Sequence, residues 1–203
     1  MIELPSVTLL CVDCVDAERA ILALERCTSV CRFGAVRFLT SLPTEYNHVT
    51  IEALSSVQAY SDFMLLRAHG FVSTTHALIV QHDGYIVNPR AWSPAFLSYD
   101  YIGAPWRDGV VGNGGFSLRS KKLMVRVGER CRDLGGTPAV VLEEGVRKIG
   151  VSNEDVVICR GLRPELEREG FAFAPASIAA RFSVEDVGDV ARAFGSHRLP
   201  SLT

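Results

Sequence analysis

Hydrophobic residues along the chain fall into short unbroken runs separated by segments with helical spacing. Residues 7–12 form a β-branched apolar run, which is typical of a strand covered on both faces. A polar break follows, and apolar residues then recur with helical spacing from Ala17 to Cys31, before a second apolar run at residues 35–39. This order predicts a β-α-β unit, and such units usually build parallel sheets.

Further elements are predicted from the same two patterns. Strands are expected at the other apolar runs, residues 49–51, 77–81, 85–87, 116–118 and 171–174. Helices are expected where an apolar stripe recurs, at residues 56–68 and 123–134, with a short helix opening near residue 152. No repeat, low-complexity tract or linker divides the sequence, so we predict a single α/β domain over residues 1–203.

Composition and charge narrow the class of protein. Hydrophobic residues make up 48% and charged residues 22% of the chain, as in ordinary globular proteins. The formal net charge of −2 argues against a nucleic-acid partner. No apolar run approaches the roughly 20 residues that span a bilayer, and no signal peptide is visible. We expect a soluble cytoplasmic protein, with peripheral attachment to the inner membrane face as an alternative; no oligomeric state follows from the sequence.

The cysteines are the first candidates for chemistry. Cys11 and Cys14 form a C-x-x-C pair, and Cys27 and Cys31 follow at helical spacing. Cys11 lies inside the first predicted strand, whereas a redox cysteine normally sits at a helix N-terminus. Zinc ligation is the other reading of four cysteines, but the second pair falls on the inner face of a predicted helix. We predict that these cysteines are buried and structural.

Two predicted strands end in an acidic residue, Asp13 and Asp83. Ligands of open α/β sheets bind outside the carboxyl ends of the strands. Asp83 precedes Gly84, which lets the backbone turn, so its carboxylate can reach a hard cation that also binds a diphosphate. Asp-Gly is equally a strong turn dipeptide between two short strands, and the spacing alone leaves both interpretations open.

Residues 112–115 read Gly-Asn-Gly-Gly and lack the third glycine of a dinucleotide fingerprint. They predict either a tight turn or a close approach of the backbone to a sugar. In the second case Asn113 would offer a donor and an acceptor to hydroxyl groups.

Other candidate residues carry a structural and a functional interpretation each. Ser152-x-x-Asp155 and Ser183-x-x-Asp186 fit the capping-box pattern, yet Glu154 and Asp155 are also paired carboxylates where a general base could stand. His197 is either a surface residue or a cation ligand through its neutral imidazole. The aromatic residues are either core residues or stacking partners for sugars, namely Tyr101, Trp92 and Trp106. Arg119 is either a phosphate contact or a solvated surface residue.

The order of several segments resembles a family of bacterial glycosyltransferase-like proteins, often encoded near surface-polysaccharide genes, with a GT-A type nucleotide-sugar-binding fold. The resemblance covers roughly residues 7–198. Its most specific parts are Tyr-Asp-Tyr-Ile-Gly-Ala-Pro-Trp at 99–106 and Asn-Gly-Gly-Phe-Ser-Leu-Arg at 113–119. Further matching segments are residues 59–63, 78–84, 153–156, 174–175, 182–185 and 194–197.

The resemblance implies a Rossmann-like mixed sheet, mostly parallel and flanked by helices, and a role for each matching residue. Asp83 takes the place of the final aspartate of the metal-binding motif, and His197 completes the site for Mn²⁺ or Mg²⁺. Glu154 and Asp155 fall where such enzymes place the catalytic base. The donor and nucleotide would be bound by Asp13, Ser61, Gln81, His82, Asn113, Gly114 and Gly115. The acceptor would be bound by Trp106 and Tyr101.

The implied function is metal-dependent transfer of a sugar from a nucleoside-diphosphate-sugar to a hydroxyl of a glycan or lipid-linked acceptor, with inversion. Two departures bear on it: Gln81 replaces the first aspartate of the usual Asp-x-Asp, and Phe-Gly-Ser-His at 194–197 lacks a second aromatic residue before the histidine. Two alternatives remain, a non-catalytic sugar-nucleotide-binding module and a metal-dependent phosphohydrolase.

Overall fold

The structure, a computed structural model, describes residues 1–144, 147–186 and 188–198. Its strands, in chain order, are β1 (Ile2–Val12), β2 (Cys31–Thr40), β3 (Val49–Thr50), β4 (His76–Val80), β5 (Tyr85–Ile86), β6 (Tyr101–Ile102), β7 (Phe116–Ser120), β8 (Val140–Glu144), β9 (Arg147–Val151), β10 (Ser183–Val184) and β11 (Gly195–Ser196). Its helices are α1 (Ala17–Val30), α2 (Val57–Leu66), α3 (Lys121–Asp133), α4 (Glu154–Val156), α5 (Arg163–Arg168) and α6 (Ala176–Phe182). A wider π-helical segment, Val157–Leu162, joins α4 to α5.

The main sheet has six strands in the order β3-β2-β1-β4-β7-β6. Strands β3, β2, β1 and β4 run parallel, whereas β7 runs antiparallel to both β4 and β6. The predicted mixed, mostly parallel sheet is therefore confirmed. The chain passes from β1 to β2 on one side and later to β4 on the other, so the strand order reverses beside β1. Such a reversal opens a crevice at the carboxyl ends of the strands.

Alternate side chains of the central strands pack into two separate apolar clusters. Leu9 and Leu78 lie in one cluster, and Leu10 and Ile79 lie in the other. Successive residues of a strand point to opposite faces of the sheet, so both faces of β1 and β4 are covered. This burial explains why residues 7–12 are apolar without alternation.

Several predicted elements differ in the structure. Cys31 begins β2 and does not continue α1. Residues 171–174 form no regular strand, since Phe173 makes only an isolated bridge to Tyr101. Neither capping box forms, because Asn153 precedes α4 without a side-chain cap and Ser183 belongs to β10.

Cysteine burial agrees with the structural interpretation. All six thiols are free, and five of them are buried, with Cys14 half-buried. Burial raises the pKa of Cys27 to about 12, which keeps that thiol protonated and unreactive. No helix in the described part of the chain combines the length and apolarity that crossing a bilayer requires.

Candidate active site

A cavity of about 770 Å³ opens at the carboxyl ends of β1 and β4, where the strand order reverses. It is lined by ten of the site residues predicted from the sequence, namely Asp13, Ser61, Gln81, His82, Asn113, Gly114, Gly115, Glu154, Asp155 and His197. They come from six separate parts of the chain. Residues that converge in this way from distant segments build the kind of concave site that small ligands occupy.

Asp13 organises the β1 end of the cavity. Its Oδ1 accepts hydrogen bonds from the backbone N–H groups of Val15 and Asp16, both at 2.8 Å. Its Oδ2 lies 3.2 Å from Nδ1 of His82. Asp13 therefore shapes the loop that leads into α1 and holds His82 at the cavity wall. A contact between Asp13 and a nucleotide stays a prediction.

Beyond the β4 end, next to the lining residues Gln81 and His82, Asp83 lies in a tight turn, in which the Gly84 N–H donates to the carbonyl of Gln81 at 3.0 Å. The turn interpretation of the Asp-Gly pair is therefore confirmed, and the cation-binding role stays a prediction; the Asp83 carboxylate lies 3.2 Å from Nε2 of His197. Burial opposes ionisation of Asp83, but His197 holds the pKa of this carboxyl below its usual value. Asp83 is thus an anion that faces the late histidine.

His197 reaches Asp83 through the small sheet β10-β11-β5. Its backbone N–H donates to the carbonyl of Val184 at 3.0 Å, directly after β11. Its Nε2 lies 3.0 Å from Oε1 of Gln81, and its Nδ1 lies 3.2 Å from Oε1 of Glu185. Burial alone would lower the pKa of His197, but the two carboxylates outweigh burial and raise it to about 9.

The group formed by Asp83, Gln81 and His197 fits a divalent cation on the chemistry of its donors. Asp83 Oδ1 is buried and accepts no well-aligned hydrogen bond among the described residues. Two oxygens lie 3.0 and 3.2 Å from the imidazole Nε2, close to the spacing of about 3 Å between neighbouring ligands of an octahedral Mg²⁺. The described residues include no group of three or more His, Cys, Asp or Glu side chains arranged to hold a metal ion, so a third protein ligand would have to come from the Gln81 amide. A cation would have to take the place of the Nε2 proton.

Gly114 and Gly115 form the floor between this group and the acidic end of the cavity. A Cβ atom on Gly115 would overlap the imidazole ring of His197, and one on Gly114 would overlap Oε1 of Glu154. We name these two glycines the glycine floor. No larger residue fits there unless His197 or Glu154 moves.

Replacing Gly115 by alanine should lower the free energy of unfolding by about 1–3 kcal/mol, because the added methyl group overpacks the site. Gly70→Ala is the matched control, since a Cβ there would meet no atom within 4 Å. Chemical denaturation of both variants measures the difference. Equal stability of the two would show that His197 moves freely and that the floor is not tightly packed.

Asp155 lies at the acidic end of the cavity. Its Oδ2 accepts the Gly114 N–H at 2.9 Å, and its Oδ1 accepts the Val156 N–H at 2.8 Å. Burial raises the pKa of Asp155 to about 6, and the negative charge of Glu154 adds to the effect. Asp155 is therefore ionised at neutral pH and has a pKa near that of an effective general base.

Glu154 differs from its neighbour because it forms a buried ion pair with Arg119. The Arg119 guanidinium donates to Glu154 Oε1 at 2.7 Å, and the side chains are 1% and 6% exposed. Arg119 also donates to Oγ of Ser117 at 3.0 Å, and Ser117 donates to the Gly114 carbonyl at 3.0 Å. The interpretation of Arg119 as a solvated surface residue is therefore wrong, and Glu154 is already neutralised from within the core.

The predicted acceptor-binding aromatics lie outside the cavity. Tyr101 is fully buried, and its hydroxyl donates to the Gly112 carbonyl at 2.8 Å. The structure corrects this prediction, because Tyr101 lies in the core and is not among the residues that line the cavity. Trp106 packs against Gly112, with the Arg160 guanidinium 4.5 Å from its ring centre. Trp92 packs on Phe194, with ring centres 5.0 Å apart.

Sequence reasoning assigned no role to two residues that the structure places at the cavity, Glu185 and Arg198. Glu185 accepts a hydrogen bond from the Asn113 amide at 2.6 Å and lies 2.8 Å from the Arg198 guanidinium. Arg198 has a positive φ of 56°, which is uncommon for a residue other than glycine. The only sequence feature that pointed to either residue was the position of Glu185 within a segment that resembles the glycosyltransferase-like family.

Comparisons with known proteins give a family and a fold. The sequence model of a family described as a protein of unknown function (DUF5672) matches residues 43–201. No curated protein sequence matches the chain. Among solved structures, the chain is similar to the crystal structure of the apo form of the glycosyltransferase GlyE from Streptococcus pneumoniae TIGR4, with a TM-score of 0.57 and 10% identity. The match covers 96% of this chain and 55% of that one, so the chain spans about half the length of that protein. At this identity the likeness establishes a glycosyltransferase-like fold and no activity.

Proposed function

The chain belongs to the DUF5672 family of proteins of unknown function, and we propose that it is a glycosyltransferase. In this proposal it moves a sugar from a nucleoside-diphosphate-sugar to a hydroxyl group of a glycan or lipid-linked acceptor, with the help of Mn²⁺ or Mg²⁺. The observation that carries the proposal is the arrangement of the cavity. A partly buried histidine–aspartate pair, His197 and Asp83, lies at one end of the glycine floor, and Asp155, a carboxylate with the pKa of a base, lies at the other.

The charge of the cavity explains why a cation belongs to this proposal. Four carboxylates line it, those of Asp13, Glu154, Asp155 and Glu185. Glu154 and Glu185 are paired with arginines, but Asp13 and Asp155 would repel a diphosphate unless a divalent cation lay between them. Asp83, Gln81 and the neutral form of His197 would hold the ion, which would neutralise charge that develops on the departing diphosphate. Asn113, Gly114 and Gly115 line the same cavity, which supports the prediction that they lie beside the donor sugar.

Asp155 is the residue that we assign as the general base. Its carboxylate would take the proton from an acceptor hydroxyl that attacks the sugar. The hydrogen bonds from Gly114 and Val156 fix both of its oxygens, so the carboxylate is oriented before any substrate arrives. Since the base and the cation-binding group stand at opposite ends of the glycine floor, attack and departure would occur on opposite faces of the sugar. We therefore propose that transfer inverts the anomeric carbon.

The pH dependence of turnover should reflect Asp155. Its carboxylate is the active form, so the rate should be constant above the pKa and fall about tenfold per pH unit below it. With a pKa of about 6, the acid limb should bend near pH 6. The measurement is kcat at saturating donor between pH 5 and 8. A profile that is flat down to pH 5 would exclude Asp155 as the base.

Turnover of nucleotide-sugars tests the proposed activity. The chain is incubated with UDP-, GDP-, ADP- and dTDP-sugars, with Mn²⁺ or with a chelator, and release of the nucleoside diphosphate is measured. We expect slow hydrolysis of one donor class that requires the cation. Phosphate release from simple esters without a donor would instead identify a phosphohydrolase. Donor binding with neither hydrolysis nor transfer to any of a range of acceptors would identify a non-catalytic binding module.

A further inference from the structure

The glycine floor fixes where a donor sugar would lie in the proposed transferase. One end of the floor is Gly115, where a Cβ atom would overlap His197. The other end is Gly114, where a Cβ atom would overlap Glu154. A sugar that joins a cation-bound diphosphate to an acceptor beside Asp155 must cross this floor. The side chains that border the glycine floor therefore determine which donor sugar can bind.

The border of the glycine floor is rich in carboxylates. Asp155 accepts the N–H of Gly114 itself, and Glu154 packs against the same residue. On the other side, Glu185 accepts a hydrogen bond of 2.6 Å from the amide of Asn113, which adjoins the floor. Three carboxylates thus surround the position of the sugar ring, and Asp155 is the one that forms no ion pair with a lysine or arginine among the described residues.

The positive groups nearby are already paired. Arg119 is buried behind Glu154 and does not line the cavity. Of the described residues that line the cavity, Arg198 alone is a lysine or arginine, and it lies 2.8 Å from Glu185 and 3.4 Å from Asp186. A ligand carboxylate could gain Arg198 only by separating it from both acids.

Two buried polar atoms at the cavity still need a partner. Asn113 is 5% exposed, and its Oδ1 accepts no hydrogen bond from the described residues. Ser61 is 1% exposed, and its Oγ is likewise unpartnered among the described residues. A buried polar group that lacks a partner in the free protein commonly gains one from a ligand, and Asn113 Oδ1 can only accept. Sugar hydroxyls supply such donors.

We propose that the donor sugar is a neutral, hydroxyl-rich sugar and that the Asp155 carboxylate, which has no lysine or arginine partner among the described residues, excludes uronic acids. This inference rests on the proposed function and names the substrate class of the same cavity. A uronate would bring a second unpaired negative charge beside Asp155, at a site where water screens charges poorly and the nearby arginines are already engaged by Glu154 and Glu185. A neutral sugar instead satisfies Asn113 and Ser61 without any added charge.

Matched pairs of donors test the proposal by isothermal titration calorimetry at pH 7.5 with Mn²⁺. UDP-glucose is compared with UDP-glucuronate, and GDP-mannose with GDP-mannuronate, so that each pair shares its nucleotide. We expect the neutral member of the accepted pair to bind at least tenfold more tightly. Equal or tighter binding of the uronate would overturn the proposal while leaving the transferase function intact. Absence of binding for all four donors, and for ADP- and dTDP-sugars under the same conditions, would refute both.

Two variants locate the selection at the glycine floor. Asp155→Asn removes one carboxylate and should narrow the neutral-to-uronate affinity ratio at least threefold, whereas Asp133→Asn, on the exposed end of α3, should leave it unchanged. Ser61→Ala should weaken binding of the neutral donor about threefold to tenfold and leave binding of the free nucleoside diphosphate as it was. An unchanged ratio in Asp155→Asn would contradict the inference.

Discussion

Replacing Asp155 by asparagine should lower the rate of sugar transfer by about 10²–10⁴-fold, the usual contribution of a general base. Asparagine has nearly the same shape and its single oxygen can keep one of the two backbone hydrogen bonds, from the Gly114 or the Val156 N–H, so the chain should remain folded. The measurement is kcat for donor turnover, together with a thermal unfolding curve that confirms the fold. The residual rate should no longer fall below pH 6, because the group that titrates there has been removed.

Asp133→Asn is the control for this substitution, since it changes the same functional group at an exposed position. Its turnover should match that of the unmodified chain within experimental error. If Asp155→Asn retained turnover within about threefold of the unmodified chain, well short of the 10²-fold minimum expected for a base, the assignment of Asp155 would be wrong.

Replacing Glu154 by glutamine should lower the free energy of unfolding by about 3–5 kcal/mol, because the buried Arg119 guanidinium would lose its counterion. Denaturant titration measures this loss. The double variant Arg119→Met with Glu154→Gln should recover part of it, since no unpaired charge then remains in the core. Glu154 would thus act mainly on stability and Asp155 on catalysis, although the two are adjacent in sequence.

The exposed pair of Arg163 and Glu167 is a matched control for the buried one. Its Nε–Oε1 distance is 2.8 Å, but both side chains are partly in contact with water. Glu167→Gln should therefore change the free energy of unfolding by about 0–1 kcal/mol. Equal losses for the buried and exposed pairs would contradict the view that burial makes the Arg119–Glu154 pair indispensable.

The position of the cavity could be predicted from the sequence because its cause is local. The unalternating run at residues 7–12 predicts a central strand covered on both faces, and the acidic residue after it marks the carboxyl end. The apolar run at residues 77–81 likewise predicts a buried strand, and Asp83 lies just after its carboxyl end. Since the carboxyl ends of parallel strands meet at one edge of a sheet, Asp13 and Asp83 could be placed near one another.

The partners of the site residues could not be predicted, because they depend on long-range packing. Asn113 and Glu185 are 72 positions apart and meet only through the small sheet that carries His197. Arg119 looked like a surface residue, since an arginine is rarely buried unless an acid accompanies it. Tyr101 lies in the core, although a contact with the acceptor was predicted. The composition of a segment does not distinguish a core aromatic residue from an exposed one.

The decisive measurement is calorimetry of donor binding with and without Mn²⁺, on the unmodified chain and on Asp83→Asn. We expect Mn²⁺ to tighten binding of the accepted nucleotide-sugar at least tenfold in the unmodified chain, and Asp83→Asn to remove most of this gain. The gain reports the coupling between the cation and the donor within one site. Identical donor affinities with and without Mn²⁺, or an undiminished gain in Asp83→Asn, would contradict it.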